Sequence, residues 1–179
     1  MKSISKMTQA ELAAYVQSYL NTKGITVILS GGAAVAIYTV NKYASPDIDL
    51  VDVYNTERKK IILAMKEIGF SEKHRYFEHP DTKYIVEFPP GPLSVGDEPV
   101  KSINEMKFST GTLRVISATD CVKDRLAAYY FWNDLQSLDQ AILVTKHNHI
   151  SINEIKTWSQ TIRKMREFKI FDEKLSDKK

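Results

Sequence analysis

Residues 30–51 read SGGAAVAIYTVNKYASPDIDLV and hold the features that decide the fold. The apolar, β-branched run at 26–29 precedes them, which is typical of a buried strand. Two glycines, Gly31 and Gly32, follow that strand and open a short predicted helix. After fourteen intervening residues, a second predicted strand, introduced by Pro46, begins Asp47-Ile48-Asp49. The segment therefore predicts a strand, a glycine turn, a helix and an acidic strand in succession.

The acidic strand places two carboxylates on one face. Side chains alternate along a strand, so Asp47 and Asp49 point one way while Ile48 and Leu50 point into the core. Carboxylates about 7 Å apart repel each other, and a cation between them relieves the repulsion. Their hard oxygen atoms suit Mg²⁺ or Mn²⁺. The alternative interpretation is a pair of strand-edge residues that face water.

The glycine turn is suited to bind phosphate. A helix that opens directly after a strand offers free backbone N–H groups and the positive end of its dipole. Glycines let a phosphate approach that backbone closely, and Ser30 adds a hydroxyl group. A glycine pair alone also makes an ordinary tight turn. The combination with the acidic strand favours a nucleotide site.

The remaining pattern predicts an α/β (α+β) protein with a mixed sheet and a C-terminal helical bundle. Thr8-Gln9-Ala10-Glu11 has the form of a capping box, so we expect a first helix from there to Gly24. The elements expected after the acidic strand are a helix at 56–68, strands at 74–78 and 83–88, a loop at 89–99, a hairpin at 104–116 and helices at 119–132, 134–146 and 152–169. We predict a core at 1–117 and a helical region at 118–179 that packs on it.

Composition narrows the class of protein. The chain has 179 residues, 43% of them apolar, and a single cysteine, Cys121, which excludes an internal disulfide. We find no signal peptide and no apolar run long enough to span a membrane, so we expect a cytoplasmic protein with no membrane partner. P-loop and Ser-His-Asp patterns are absent from the sequence. The net charge of +3 comes from residues 151–179, which indicates either a solvated helix face or a contact with nucleic acid.

The pattern Ser30-Gly31-Gly32 followed by Asp47-Ile48-Asp49-Leu50 resembles the signature of the nucleotidyltransferase (DNA polymerase β-like) superfamily. It is most similar to the minimal nucleotidyltransferases and to the abortive-infection (AbiEii-type) nucleotidyltransferase toxins, over residues 26–53. The resemblance implies that the turn formed by Ser30, Gly31 and Gly32 holds a nucleoside triphosphate. It also implies that Asp47 and Asp49 bind divalent metal ions together with a third carboxylate on a neighbouring strand.

Glu87 is our candidate for the third carboxylate, and it would both bind metal and take part in catalysis. It comes late in the apolar strand 83–88, where a buried charge needs a partner. Glu78 and Asp81 are alternatives, and Glu87 itself also fits a salt-bridged residue at the rim. Asp52 points away from the face of the acidic pair.

A cation is expected near the phosphates, because pyrophosphate leaves with negative charge. Lys123 is our candidate, since it lies in the opening turn of a predicted helix, where the dipole disfavours it. The resemblance likewise implies a lysine on a helix after the sheet. Arg125 and Lys42 are alternatives, and Lys123 also fits a surface lysine offset by Asp120 and Asp124.

These residues predict a metal-dependent nucleotidyltransferase. The enzyme would move a nucleoside monophosphate from an NTP to a hydroxyl group of RNA, protein or a small molecule, with Mg²⁺ or Mn²⁺ as cofactor. A role in a toxin–antitoxin or phage-defence system is compatible with that chemistry. The alternative is a non-catalytic module that binds a nucleotide or a partner, favoured by Ala33 where relatives commonly carry serine or threonine. The sequence does not indicate the oligomeric state.

Overall fold

The computed structural model of the chain describes residues 2–40 and 42–177, so Met1, Asn41, Lys178 and Lys179 lie outside it. Its helices are α1 (Gln9–Thr22), α2 (Gly31–Tyr38), α3 (Arg58–Glu67), α4 (Ala118–Trp132), α5 (Leu135–His147), α6 (Ile152–Thr161) and α7 (Met165–Ser176). Its strands are β1 (Val27–Ser30), β2 (Asp47–Asp52), β3 (Ser71–Lys73), β4 (Tyr76–Glu78), β5 (Ile85–Glu87), β6 (Ser94–Val95), β7 (Glu98–Pro99), β8 (Ile103–Phe108) and β9 (Gly111–Ile116).

The strands of residues 2–40 and 42–177 form a seven-stranded sheet in the order β3-β4-β5-β2-β1-β9-β8, with β6 and β7 as a separate hairpin. Strand β2 runs antiparallel to β1 and parallel to β5, while β1 runs parallel to β9. The sheet is therefore mixed, and the predicted α/β class is confirmed. This order places the glycine turn, the acidic strand and the strand of Glu87 next to one another.

The two faces of the central strands differ in polarity, as the alternation of residues predicts. Leu29, Ile48 and Val86 are fully buried on one face. Helix α1 packs against β1 and β9, and it begins with the predicted capping box between Thr8 and Glu11. The opposite face carries the carboxylates of 47, 49 and 87, which are half-buried. Burial of the apolar face thus leaves the carboxylates on the accessible one.

The predicted single helix at 152–169 is wrong, because the chain turns after α6. Arg163 adopts a left-handed φ of 59° at the turn, and α7 begins two residues later. The turn lets α7 pack on α5 and bury Phe168 and Phe171. Neither glycine nor proline marks this turn in the sequence, so the break depends on tertiary packing.

Two further segments differ in detail from the prediction. The strand expected at 74–78 is a hairpin of β3 and β4, which turns at His74 with a φ of 57°. The loop expected at 89–99 contains the short hairpin of β6 and β7. Across the described residues, no helix combines the length and the apolar character that a membrane span requires.

Candidate active site

Three neighbouring strands bring the predicted site residues into one row. Ser30 at the end of β1 is opposite Asp49 on β2, and Asp49 is opposite Glu87 on β5. Asp47 lies two positions before Asp49 and on the same face, opposite Ile85. The register therefore places a serine and three carboxylates at adjacent positions on one face of the sheet.

The carboxylates act on one another electrostatically. Burial, together with the neighbouring charges of Glu87 and Asp47, raises the pKa of Asp49 to about 6. Arg125 on α4 opposes this rise, so its positive charge also reaches Asp49. A carboxylate in this environment is destabilised when ionised, and an additional cation would favour the ionised form.

The donor set fits a hard divalent cation. Within residues 2–40 and 42–177, none of the carboxylates of Asp47, Asp49 and Glu87 is paired with a basic side chain. Oxygen donors of this kind suit Mg²⁺ and Mn²⁺. As they stand, no three acidic, histidine or cysteine side chains in the same ranges are close enough together to form a metal site. The three carboxylates thus share one face of the sheet without forming a ready-made metal site, and their binding of a metal ion stays a prediction.

The glycine pair is required by its neighbours. Gly31 has a left-handed φ of 66°, and a methyl group there would come within 2.9 Å of Cγ of Asp49 and overlap its carboxylate. A methyl group at Gly32 would lie 2.9 Å from Oγ of Ser45. The turn thus packs on the acidic strand at Gly31 and on the segment before that strand at Gly32.

The start of α2 has no side-chain cap among the described residues. Ser30 is the N-cap residue, and its side chain makes no capping hydrogen bond with the described residues. The first backbone N–H groups of a helix have no partner within the helix and favour negative charge. The local backbone at Ser30, Gly31 and Gly32 is therefore the strand-to-helix turn that the sequence predicts, and its role in binding phosphate stays a prediction.

Lys123, the predicted phosphate-binding cation, is engaged elsewhere. Its side chain is 1% exposed, and its ammonium group pairs with Glu98 and, at 3.5 Å, with Glu154. It would have to leave these partners to reach a nucleotide. Arg125, named above as an alternative to Lys123, is itself paired with Asp124 at 2.6 Å, and its positive charge partly offsets the rise in the pKa of Asp49. Lys123 and Arg125 are two positions apart on a helix, so their side chains differ in direction by about 200° around its axis. Tertiary packing decides which of the two faces a site.

Asp52 lies outside the row of carboxylates, as the alternation of the strand predicts. It is 4% exposed and accepts hydrogen bonds from Tyr54 and Thr56, so it shapes the turn after β2. Asp81, considered for the third carboxylate, is exposed in the turn before β5. Glu87 is thus the residue of this region that lies beside the acidic pair.

Glu78 and Lys42, which the sequence also proposes for the site, are both engaged at the surface. Glu78 lies on β4 and pairs with Lys73 at 3.2 Å. The ammonium group of Lys42 contacts Nε2 of His147 at 2.8 Å. These contacts give each of the two side chains a structural role.

A cavity of about 240 Å³ is lined by Ser30 but by none of the three carboxylates of the row, and no local sequence pattern indicates it. Val51 and Pro89, two positions beyond Asp49 and Glu87 on their strands, form part of its wall. Its other lining residues are Ser30, Pro90, Pro92, Leu93, Ser94, Val95, Val100, Ile116 and Asp124. The segment 89–100, of which 89–99 is predicted as a loop, therefore forms much of the cavity wall.

No protein-family model matches the chain, and no curated protein matches it in sequence. Its fold is similar to the solution structure of the antibiotic-resistance factor ANT(2'')-Ia, with a TM-score of 0.55 and 11% identity over 83% of this chain and 88% of that chain. It is also similar to the crystal structure of ANT(2'')-Ia in complex with adenylyl-2''-tobramycin, with a TM-score of 0.53 and 14% identity over 95% of this chain and 100% of that chain. The chain therefore shares the fold of ANT(2'')-Ia.

Proposed function

We propose that the protein transfers a nucleoside monophosphate from an NTP to a hydroxyl acceptor. The observation that carries the proposal is the row formed by Ser30, Asp49 and Glu87, with Asp47 on the same face and the uncapped start of α2 beside it. The similar fold of ANT(2'')-Ia, whose crystal structure contains an adenylylated product, supports this reaction class.

Asp47, Asp49 and Glu87 would hold Mg²⁺ or Mn²⁺, which, when bound, stabilises the charge that develops on the attacking and leaving oxygens. Ser30 and the backbone N–H groups of the glycine pair would bind and orient the β- and γ-phosphates. Arg125 pairs with Asp124 at 2.6 Å and contributes positive charge to the site from α4.

In the reaction the acceptor oxygen forms a bond to the α-phosphorus, and the bond from that phosphorus to the bridging oxygen breaks. Pyrophosphate leaves with the electron pair of the broken bond. The proton of the acceptor hydroxyl passes to Glu87, which lies beside Asp49. In this proposal all three carboxylates bind metal, and Glu87 also accepts the proton.

The acceptor is proposed by chemical class. A small molecule is favoured by analogy with the tobramycin adduct of ANT(2'')-Ia, although the cavity of about 240 Å³ has room for only part of a molecule of that size. RNA and protein are the alternative acceptors. A toxin role would fit those acceptors and would need a partner protein that neutralises it.

The test is a labelling reaction with each α-³²P NTP and MgCl₂, offered total RNA, a cell lysate and a panel of hydroxylated small molecules, tobramycin among them. We expect labelling of one acceptor class and its loss in Asp47→Asn. The matched control is Asp52→Asn, on the same strand but on the other face. Equal labelling by wild type and Asp47→Asn would refute transfer at these carboxylates, and NTP binding without labelling would support the non-catalytic module.

A further inference from the structure

An ionic cluster joins the wall of the cavity to the C-terminal helices. Lys123 on α4 pairs with Glu98 on β7, and lies 3.9 Å from Asp120 and 3.5 Å from Glu154 on α6. Lys101 pairs with Glu98 at 2.8 Å and with Glu154 at 3.4 Å. The cluster thus connects three elements that are distant in sequence through two lysines and three carboxylates.

Burial makes the contribution of Lys123 unlike that of a surface ion pair. Its side chain is 1% exposed, and its ammonium group lies 5.6 Å from the ring centre of Trp158. Hydrogen bonds from Lys101 and Lys123 lower the pKa of Glu98, so the carboxylate stays ionised. Removing one partner of a buried pair is costly because the remaining charge is left without compensation.

Glu98 belongs to the hairpin that walls the cavity. It is paired in register with Val95, which lines the cavity and is 2% exposed. The same segment contributes Pro89 and Val100 to the wall, beside Ser30. A two-stranded hairpin of this length is marginally stable alone, so its position depends on contacts with the rest of the chain.

We propose that Lys123 is a positioning residue that fastens the hairpin segment 89–100 over the cavity and so sets the cavity's shape. Through Glu98 it holds Val95 against the interior, and through Glu154 it ties the segment to α6. The idea that this cavity receives a substrate rests on the proposed function. The role of Lys123 in holding the cavity wall is independent of that function.

A thiol reporter tests the proposal without any turnover. Val95→Cys places a thiol in the cavity wall, and the native Cys121 is 0% exposed, with a thiol pKa that burial raises. The rate at which the introduced thiol reacts with Ellman's reagent is compared between protein that retains Lys123 and the Lys123→Met variant. We expect the introduced thiol to react at least about tenfold faster in Lys123→Met, while Cys121 stays slow.

Lys23→Met is the matched control, because Lys23 pairs with Glu67 at 2.6 Å on the surface. It should leave the labelling rate unchanged. An unchanged rate in Lys123→Met would overturn the proposal, and so would equal acceleration at Cys121, which reports global unfolding. If Lys123→Met does not fold, Glu98→Gln removes the same contact from a partner that is 30% exposed and must give the same selective labelling.

Activity provides a separate readout. In the labelling reaction with ATP, Lys123→Met should raise KM several-fold and change kcat less, because a loosened wall weakens binding more than chemistry. A selectively exposed thiol in a protein without transferase activity would refute the proposed function and leave the role of Lys123 intact. Conversely, an active enzyme whose introduced thiol reacts no faster in Lys123→Met would refute the role of Lys123 and leave the proposed function intact.

Discussion

The backbone of Gly31 lies so close to the carboxylate of Asp49 that no side chain fits between them. This contact joins the turn proposed to bind phosphate to the strand proposed to bind metal. It also makes the position of Asp49 depend on the residue at 31, although the two are separated by a helix in the sequence.

Gly31→Ala should therefore displace Asp49. We expect a loss of about 1 to 3 kcal/mol in the free energy of unfolding and a fall of about 100-fold in labelling. Gly24→Ala is the control, because Gly24 has a left-handed φ of 72° with nothing within 4 Å of an added methyl group. Denaturant unfolding of both variants measures the difference, and equal losses would show that contact with Asp49 contributes nothing.

Asp49→Asn should stabilise the fold near neutral pH. The pKa of Asp49 is about 6 in the folded chain against an ordinary 3.8, so the folded state binds more protons between those values. Its contribution to stability therefore falls as pH rises from about 4 to 6. We expect Asp49→Asn to gain about 1 to 2 kcal/mol at pH 7 and little at pH 4.

Asp52→Asn is the matched control for that substitution. Asp52 accepts hydrogen bonds from the backbone N–H groups of Tyr54 and Thr56, so its loss should cost about 1 to 3 kcal/mol. Urea unfolding at pH 4 and pH 7 distinguishes the two variants. Destabilisation by Asp49→Asn at pH 7 would mean that its charge is not repelled in the folded protein.

Mg²⁺ should raise the melting temperature at pH 7.5 and lose this effect as pH falls through about 6, because protons compete for Asp49. Asp47→Asn should abolish the stabilisation by Mg²⁺. Differential scanning fluorimetry with MgCl₂ measures it, with Asp52→Asn as control. Stabilisation that survives in Asp47→Asn would place any Mg²⁺ away from these carboxylates.

Glu87→Gln should lower labelling at least about 100-fold while the chain stays folded, because the amide neither accepts the acceptor proton nor binds a divalent cation as well. Glu78→Gln is the control, since Glu78 lies on the next strand and pairs with Lys73. The initial rates of nucleotide transfer by Glu87→Gln and Glu78→Gln are compared. Comparable losses in both variants would argue against a particular role for Glu87.

Local patterns in the sequence are enough for the centre of the fold. The capping box at Thr8, the alternation in 47–50 and the glycine turn each act between residues close in the chain, and the structure places all three as expected. The position of Glu87 beside the acidic pair is also predictable from local sequence. A charged residue late in an apolar strand stands out even when its partners are unknown.

Pairings distant in the chain are decided by tertiary structure. The sequence alone cannot decide whether Lys123 or Arg125 faces the proposed site. Helical spacing shows that the two side chains point in different directions, but it does not show which direction is the interior. Packing buries Lys123 beside Glu98 and pairs Arg125 with Asp124, from where the positive charge of Arg125 partly offsets the rise in the pKa of Asp49. The break at Arg163 has the same origin. Short-range backbone preferences specify which elements form, whereas burial and charge compensation among distant residues specify which side chains reach the site.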